Sequence, residues 1–198
     1  MDRWRYLRID NMKKYNKWIA LFSQTGQEII DISEQIQRKP DLIISNNHPN
    51  NIQNILKGVE YKWLTTFGKD SKTLDILDEV VDDLEPTIIT LNGWLRIVPP
   101  DKCSKYDIYN GHPGLITKYP ELKGKDPQQR TWDDLHRYNK MGSVVHKVVE
   151  EVDAGGVETV SEVSTESILT LDDTYNALRK TSLKAWYSFL KERLYNTV

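Results

Sequence analysis

The sequence predicts an α/β fold in which a mostly parallel sheet is covered by helices on both faces. Apolar runs rich in β-branched residues alternate along the chain with segments of helical periodicity. Several of these runs are apolar nearly throughout, which is typical of strands buried on both faces. A long amphipathic segment closes the chain. This repeated alternation is the pattern of βαβ units.

Strands are predicted where short apolar runs are bounded by turn-forming residues. Strands that alternate with helices are expected to run in parallel, because a helix returns the chain to the same edge of the sheet. The predicted strands are Lys17–Ser23, Asp41–Ser45, Thr87–Leu91, Asp107–His112, Ser143–Val149 and Val157–Val163.

Helices are predicted from apolar spacing and from the residues that end them. One stripe at helical spacing precedes Pro86, which ends the segment because proline cannot continue a helix. Its members are Leu74, Leu77, Val81 and Leu84. Shorter helices are predicted at Gln27–Ile36, Asn51–Leu56 and around Thr131–Asn139.

The last helix is predicted to be long and to pack against the sheet. Thr170 and Asp173 have the spacing of a capping box at its start. A stripe of mainly apolar residues follows, and its width favours core packing over ligand binding. The stripe comprises Tyr175, Leu178, Ser182, Trp186, Phe189 and Leu190.

Composition indicates a globular protein. The chain has 198 residues, of which 38% are hydrophobic and 28% charged, so one compact domain with a sizeable core is expected. The net charge of -2 lacks the basic surplus of a dedicated nucleic-acid binder, although Met1–Lys17 is locally basic. No nucleic-acid partner is therefore expected.

Cysteine content and hydropathy predict a cytoplasmic protein without membrane association. Cys103 is the only cysteine, which excludes an intrachain disulfide and any metal site built from several cysteines. The apolar run Trp18–Phe22 is too short for a signal peptide or a membrane span.

The clearest candidate for chemistry is the end of the strand Asp107–His112. Side chains alternate along a strand, so Asn110 and His112 face the same way, and Gly111 lies between them. An amide that donates hydrogen bonds beside an imidazole that holds a proton is suited to stabilising an oxyanion.

Two further polar residues follow the next predicted strand. His146 interrupts an apolar run, and Asp153 precedes Ala-Gly-Gly at a turn. Each is commonly structural when taken alone. If Asp153 lies beside His112, however, its carboxylate would orient the imidazole, favour its protonated form and relay a proton.

Three separated motifs resemble the folate-dependent formyltransferases. They read NGHPGL followed by KYP and LKG, then LNGWLRIV, and VHKVVEEVDAGG. The similarity begins at about Lys17, so residues 1–16 are assigned to an N-terminal extension and 17–198 to a single formyltransferase catalytic domain. The resemblance implies a Rossmann-like, mostly parallel twisted sheet. It also implies transfer of a formyl group from N10-formyltetrahydrofolate to the primary amine of a small acceptor.

The resemblance also implies roles for individual residues. Asn110, His112 and Asp153 match the catalytic residues of the family, and His146 matches a histidine with an ordering role. No metal is expected. The residues assigned to folate binding are Leu95, Arg96, Ile97, Val98, Glu150, Glu151 and Val152, and those assigned to the acceptor are Thr25, Gly26, Gln27 and Lys118.

The chain departs from the family pattern at two places. Gly111 stands where relatives usually carry a branched residue, and the added backbone freedom would loosen the site or make room for an unusual acceptor. The first loop offers Gln24, Gln27 and Glu28 where the transformylase of glycinamide ribonucleotide has small residues around a phosphate. A nucleotide, an amino sugar and a compound like glycinamide ribonucleotide all remain candidate acceptors.

Three alternative functions remain open at this stage. Water in place of the amine would make the protein a formyltetrahydrofolate hydrolase. His112, His146 and Asp153 are also ligand types of a zinc-dependent hydrolase, although their spacing matches no local metal motif. A folate-binding protein without turnover is the third alternative.

Overall fold

Residues 13–49, 57–64 and 74–195 are described by a computed structural model. Their strands are β1 (Lys17–Phe22), β2 (Leu42–Ser45), β3 (Glu60–Trp63), β4 (Thr87–Leu91), β5 (Ile108–His112), β6 (Lys140–Lys147) and β7 (Val157–Ser164). Their α-helices are α1 (Gln27–Ile36), α2 (Ile76–Val80), α3 (Pro100–Lys105), α4 (Pro127–Asp133) and α5 (Leu171–Leu194), and the 3₁₀ turns are Pro120–Leu122 and Leu135–Arg137.

The strands of the described residues form one seven-stranded sheet in the order β3-β2-β1-β4-β5-β6-β7. The pairs from β3 to β5 are parallel, whereas β6 and β7 are antiparallel to their neighbours. The chain moves outward from β1 to β3 and then returns to β4 on the other side of β1. Sheets of this kind bind ligands at the crevice created by that reversal. The predicted fold class, a mostly parallel Rossmann-like sheet with helices, is confirmed.

Strand β1 is buried on both faces, as its uninterrupted apolar composition predicts. Trp18, Ala20 and Phe22 pack towards α1 and α5, while Ile19 and Leu21 pack on the opposite face. All five side chains are at most 1% exposed. The alternation along the strand therefore divides the core into two layers, with the sheet between them.

Helix α5 covers one face of the sheet. Thr170 and Asp173 form the predicted capping box, in which each side chain accepts from the other residue's backbone N–H. Of the predicted stripe, Tyr175 is the exception at 45% exposed. The buried stripe begins one residue earlier, at Thr174, which is fully buried.

Helix predictions were wrong in two places. The helix predicted up to Leu84 is shorter than expected and forms only α2. Asp82 starts a turn in which its carboxylate accepts from the Leu84 N–H at 2.9 Å, and Leu84 is 93% exposed. The helix expected around Thr131–Asn139 begins earlier, at Pro127, whose fixed φ suits a first helical position, and ends at Asp133. The predicted helix Asn51–Leu56 lies outside the described residues.

Two short elements were missed. Strand β3 has the sequence EYKW and lies at the sheet edge, so charged residues replace the apolar run that marks a buried strand. Helix α3 has only six residues, too few to show a periodic stripe.

The last residues of the predicted N-terminal extension pack against the sheet. Tyr15 is 3% exposed, and its hydroxyl lies 3.2 Å from that of Tyr109 on β5. Its backbone N–H donates to the carbonyl of Arg193 on α5. Among the described helices, none combines the length and apolar composition needed to cross a membrane.

Candidate active site

Strands β5 and β6 bring three predicted site residues to one face of the sheet. Asn110 lies directly opposite His146 in the antiparallel register, and His112 lies two residues further along β5. The Asn110 Nδ2 is 3.3 Å from His146 Nε2. Strand geometry alone therefore places the amide and both imidazoles together.

Asp153 reaches this face by a loop that turns back along the sheet. Since β6 is antiparallel to β5, its carboxyl end lies opposite Tyr109, near the start of β5. The returning loop passes close to the backbone of β6. A Cβ on Gly155 would lie 1.8 Å from the carbonyl oxygen of Lys147, so a side chain does not fit at this position. Asp153 itself has a left-handed φ of 53°.

The Asp153 carboxylate bridges the two imidazoles. Its Oδ2 is 3.3 Å from His112 Nδ1, and its Oδ1 is 3.2 Å from His146 Nε2. The three side chains are only 3–7% exposed. These three buried side chains and the half-buried amide of Asn110 thus form one continuous polar cluster.

Backbone carbonyls fix a hydrogen on the other nitrogen of each imidazole. His112 Nε2 donates to the carbonyl of Leu122 at 2.9 Å, and His146 Nδ1 donates to that of Lys147 at 2.9 Å. Carbonyl oxygens only accept, so each contact requires an N–H. The nitrogens that gain or lose a second proton are therefore the two that face Asp153.

The cluster favours an ionised Asp153. Burial raises the pKa of this carboxyl. Three neighbours lower it by more, so that it is about 2: the hydrogen bond from His146, the charge of His112 and the Gly124 N–H at 2.8 Å. Burial lowers the pKa of His112 from 6.5, more than the attraction of Asp153 raises it. A proton added to the cluster therefore goes to a ring nitrogen.

Trp186 fills the space on the other side of Gly111. A Cβ at Gly111 would lie 2.4 Å from the indole Nε1 and 2.9 Å from its Cε2. Trp186 is fully buried. The missing side chain at Gly111 therefore leaves no free room on this face, contrary to the expectation of added space for an acceptor.

The segment Leu95–Val98 follows β4 at the crevice. Its backbone is fixed to the end of β1, since the Leu95 N–H donates to Ser23 Oγ at 3.1 Å. Leu95 and Ile97 are 67% and 69% exposed, and Arg96 is also exposed, whereas Val98 is buried. Exposed apolar side chains at a crevice are typical of a ligand-binding wall.

The loop that carries Asp153 presents its preceding residues outward. Glu150, Glu151 and Val152 are exposed, with Val152 at 51%. The Glu151 carbonyl accepts from the Ala154 N–H at 3.3 Å, which closes the turn. The loop therefore offers both apolar and acidic groups beside the buried carboxylate.

The first loop and Lys118 contact other residues than the cluster. Gly26 caps α1 in a left-handed conformation, and Thr25 Oγ1 accepts from the Gln27 N–H at 3.3 Å. Lys118 donates to Asn139 Oδ1 at 2.8 Å, just before β6 begins. Acceptor binding by these residues stays a prediction.

Glu28 does not present its charge to the first loop. Its carboxylate accepts from Ser182 Oγ at 2.6 Å and from Asn92 Nδ2 at 3.1 Å, and burial raises its pKa. Because this carboxyl contacts Ser182 on α5 and its pKa is raised, it repels an anion at the first loop less than a fully solvated carboxylate would.

Metal binding receives no support from the geometry. Within the part of the chain that the structure describes, no group of three or more His, Cys, Asp and Glu side chains is arranged to hold an ion. The nitrogens of His112 and His146 that are free of carbonyl contacts face the carboxylate of Asp153 instead.

Comparison with known proteins identifies the family. A sequence model of the formyl transferases matches residues 16–190. The chain belongs to the formyl transferase family. The motifs at β5 and after β6 lie within this match, so the polar cluster is part of the formyl transferase domain.

Individual relatives are more distant. A phosphoribosylglycinamide formyltransferase of Dictyostelium discoideum is 32% identical over 108 residues, covering 48% of this chain and 51% of the relative. A methionyl-tRNA formyltransferase of Thermotoga neapolitana is 28% identical over 116 residues, covering 58% of this chain and 36% of the relative. The matches therefore span about half or less of the length of these relatives.

Solved structures share the fold. A phosphoribosylglycinamide formyltransferase of Brucella melitensis has a TM-score of 0.74 at 21% identity, covering 90% of this chain and 95% of that chain. A formyltetrahydrofolate deformylase of Pseudomonas syringae also has a TM-score of 0.74, at 18% identity, covering 91% of this chain and 61% of that chain.

Sequence reasoning missed the segment that completes the cluster. The carbonyl of Leu122 and the N–H of Gly124 contact His112 and Asp153, and Gly124 has a φ of 84°. The glycine in the LKG motif was the available signal, because a left-handed backbone favours glycine. Backbone groups, however, carry no signature in a sequence.

The pH dependence of stability should contain a contribution from His112. Its folded-state pKa is lowered, so the stabilisation from a neutral ring is complete above the unfolded pKa of about 6.5 and is lost as pH falls through the folded value. We expect the unfolding free energy from urea titrations to fall more steeply with decreasing pH in the wild type than in His112→Gln. Equal slopes would contradict this assignment.

Gly111→Ala should destabilise the protein by about 1–3 kcal/mol, the usual cost of overpacking a core. Chemical denaturation would measure it, with Gly156→Ala as control because a Cβ there meets nothing within 4 Å. In a Trp186→Leu background the same change should cost much less. An equal cost in both backgrounds would show that the indole is not the cause.

Proposed function

We propose that this formyl transferase moves a formyl group from N10-formyltetrahydrofolate to the primary amine of a small acceptor. The observation that carries the proposal is the contact chain from Asn110 through His146 and Asp153 to His112. It combines a hydrogen-bond donor, titratable imidazoles and an ionised carboxylate in one buried cluster. Those groups meet the needs of acyl transfer to an amine.

The site has features that fit a folate. The exposed apolar side chains of Leu95, Ile97 and Val152 lie on the two loops that the family resemblance assigns to the pterin. Flat heterocycles bind in apolar slots that offer a few backbone hydrogen bonds. When bound, the folate supplies the formyl group on its N10.

The proposed chemistry assigns a step to each polar residue. The acceptor amine attacks the formyl carbon, a C–N bond forms, and the carbonyl electron pair moves to oxygen. Asn110 Nδ2 has two hydrogens and lies 3.3 Å from His146 Nε2, so at least one hydrogen is available to the oxyanion. Both ring nitrogens of His112 are engaged here, so this residue stabilises the oxyanion by the charge of the imidazolium that forms when the cluster takes up a proton.

The carboxylate completes the proton balance. The attacking nitrogen becomes positively charged and therefore acidic, so ionised Asp153 passes its proton, directly or through one water, to Nδ1 of His112. Breaking of the carbon–N10 bond then returns a proton to N10. His146 contacts both Asn110 and Asp153, which supports an orienting role.

Incubating the protein with formyltetrahydrofolate and a panel of amines tests the proposal. The panel includes glycinamide ribonucleotide, nucleotide-linked amino sugars and free amino sugars. We expect tetrahydrofolate to form, by absorbance, only when the correct amine is present, with equimolar formylated product by mass spectrometry. Formate release that needs no amine would instead favour hydrolysis, with water as the nucleophile.

Asp153→Asn should lower kcat by about 10²–10⁴, the usual scale for loss of an acid–base group. The KM for folate should change little, because the amide still accepts the Gly124 N–H and keeps the loop in place. Steady-state kinetics with Asp172→Asn, an exposed aspartate on α5, provides the matched control. A variant that keeps the wild-type kcat would remove Asp153 from the proton path.

A further inference from the structure

The segment Glu121–Gly124, called here the clamp segment, touches both members of the His112–Asp153 pair. The Leu122 carbonyl accepts from His112 Nε2 at 2.9 Å, and the Gly124 N–H donates to Asp153 Oδ2 at 2.8 Å. Four consecutive residues therefore set the separation and orientation of an imidazole and a carboxylate that come from distant parts of the chain.

The clamp segment is held by one side chain of α4. Arg130 donates through Nη1 to the Glu121 carbonyl and through Nη2 to the carbonyls of Leu122 at 3.1 Å and Lys123 at 2.8 Å. These carbonyls lie at a 3₁₀ turn that ends at Leu122, so they lack helical partners. A guanidinium is suited to them because its donors form a rigid planar fork.

The opposite side of the clamp segment is anchored by packing. The Leu122 side chain is 2% exposed and joins a small core cluster with Leu115 and Val144. Apolar contact alone leaves the rotation of the backbone carbonyls undetermined, since they carry the directional hydrogen bonds. The Arg130 guanidinium supplies that directional constraint.

We propose that Arg130 is a positioning residue, which acts through the clamp segment to hold His112 and Asp153 in their reactive arrangement. The Leu122 carbonyl has two lone pairs, one for Arg130 Nη2 and one for His112 Nε2. By aiming this carbonyl, Arg130 keeps the hydrogen of neutral His112 on Nε2. Nδ1 is then left to exchange a proton beside Asp153.

The charge of Arg130 acts in addition to its geometry. A cation near the ring disfavours the imidazolium and so lowers the pKa of His112, after burial as the main cause. The Leu122 carbonyl acts in the opposite direction, because it accepts from the ring and favours the protonated form. Loss of Arg130 changes both influences, so a structural readout tests the proposal better than a pKa alone.

The assignment rests on the proposed function only for its kinetic part. The test therefore combines structural measurements, which need no turnover, with a kinetic one. In Arg130→Gln we expect the Gly124 amide to exchange its hydrogen about tenfold faster or more, since the opening free energy of a local segment sets exchange. The ¹⁵N shifts of His112 should move towards a mixture of tautomers. For an enzyme with measurable turnover, kcat should fall by up to about 10²-fold, the scale of a small misplacement.

Two further variants keep the test decisive. Arg137→Gln is the matched control. Among the described contacts, this exposed arginine reaches the carboxylates of Glu121 and Asp134 but no carbonyl of the clamp segment. The variant should therefore leave the Gly124 exchange rate and the His112 shifts unchanged. Arg130→Lys retains the charge without the fork, so it should restore the charge effect but only part of the Gly124 protection.

The outcomes separate the two proposals. Unchanged Gly124 exchange and His112 shifts in folded Arg130→Gln would overturn the positioning role, and so would a lower kcat without any change in these signals. Altered signals in a protein whose wild type transfers no formyl group would retain the positioning role and reject the proposed function. If Arg130→Gln does not fold, the same signals in Arg130→Lys decide.

Discussion

The bridging of two imidazoles by one buried carboxylate is the interaction on which the site depends. Asp153 lies within 3.3 Å of His112 and 3.2 Å of His146, while the other nitrogen of each ring donates to a backbone carbonyl. A buried charge is costly unless it is paired and hydrogen-bonded. The surrounding backbone therefore has to supply those partners, and the Gly124 N–H is one of them.

This requirement explains several features around the cluster. The loop after β6 returns along the sheet because β6 is antiparallel to β5, which leaves its carboxyl end near the start of β5 and away from His112. Gly155 allows the close approach of that loop to Lys147. On the opposite face, Trp186 packs against Gly111 and fixes the backbone that carries Asn110 and His112. The sheet is thus constrained from both sides at the site.

Prediction from the sequence succeeded where a pattern reflects a single local cause. The strand Thr87–Leu91 and the helix Gln27–Ile36 have the predicted bounds, because burial on both faces and helical spacing are visible in the residues themselves. It failed at Leu84 and at β3, where a carboxylate-closed turn and an edge position replaced the apolar pattern. The hydrogen bonds of Glu28 with Ser182 and Asn92 could not be foreseen, because a position at a helix start does not reveal what the side chain contacts.

The sequence by itself determined the α/β class, the two-layered core and the polar residue types near the end of β5, since these follow from periodicity and side-chain chemistry. Only the tertiary structure decided that Asp153 would bridge both histidines and that backbone groups of Leu122 and Gly124 would orient them. The physical reason is that hydrogen bonds act over about 3 Å between atoms distant along the chain. Such contacts depend on how loops return to the sheet, which no local pattern encodes.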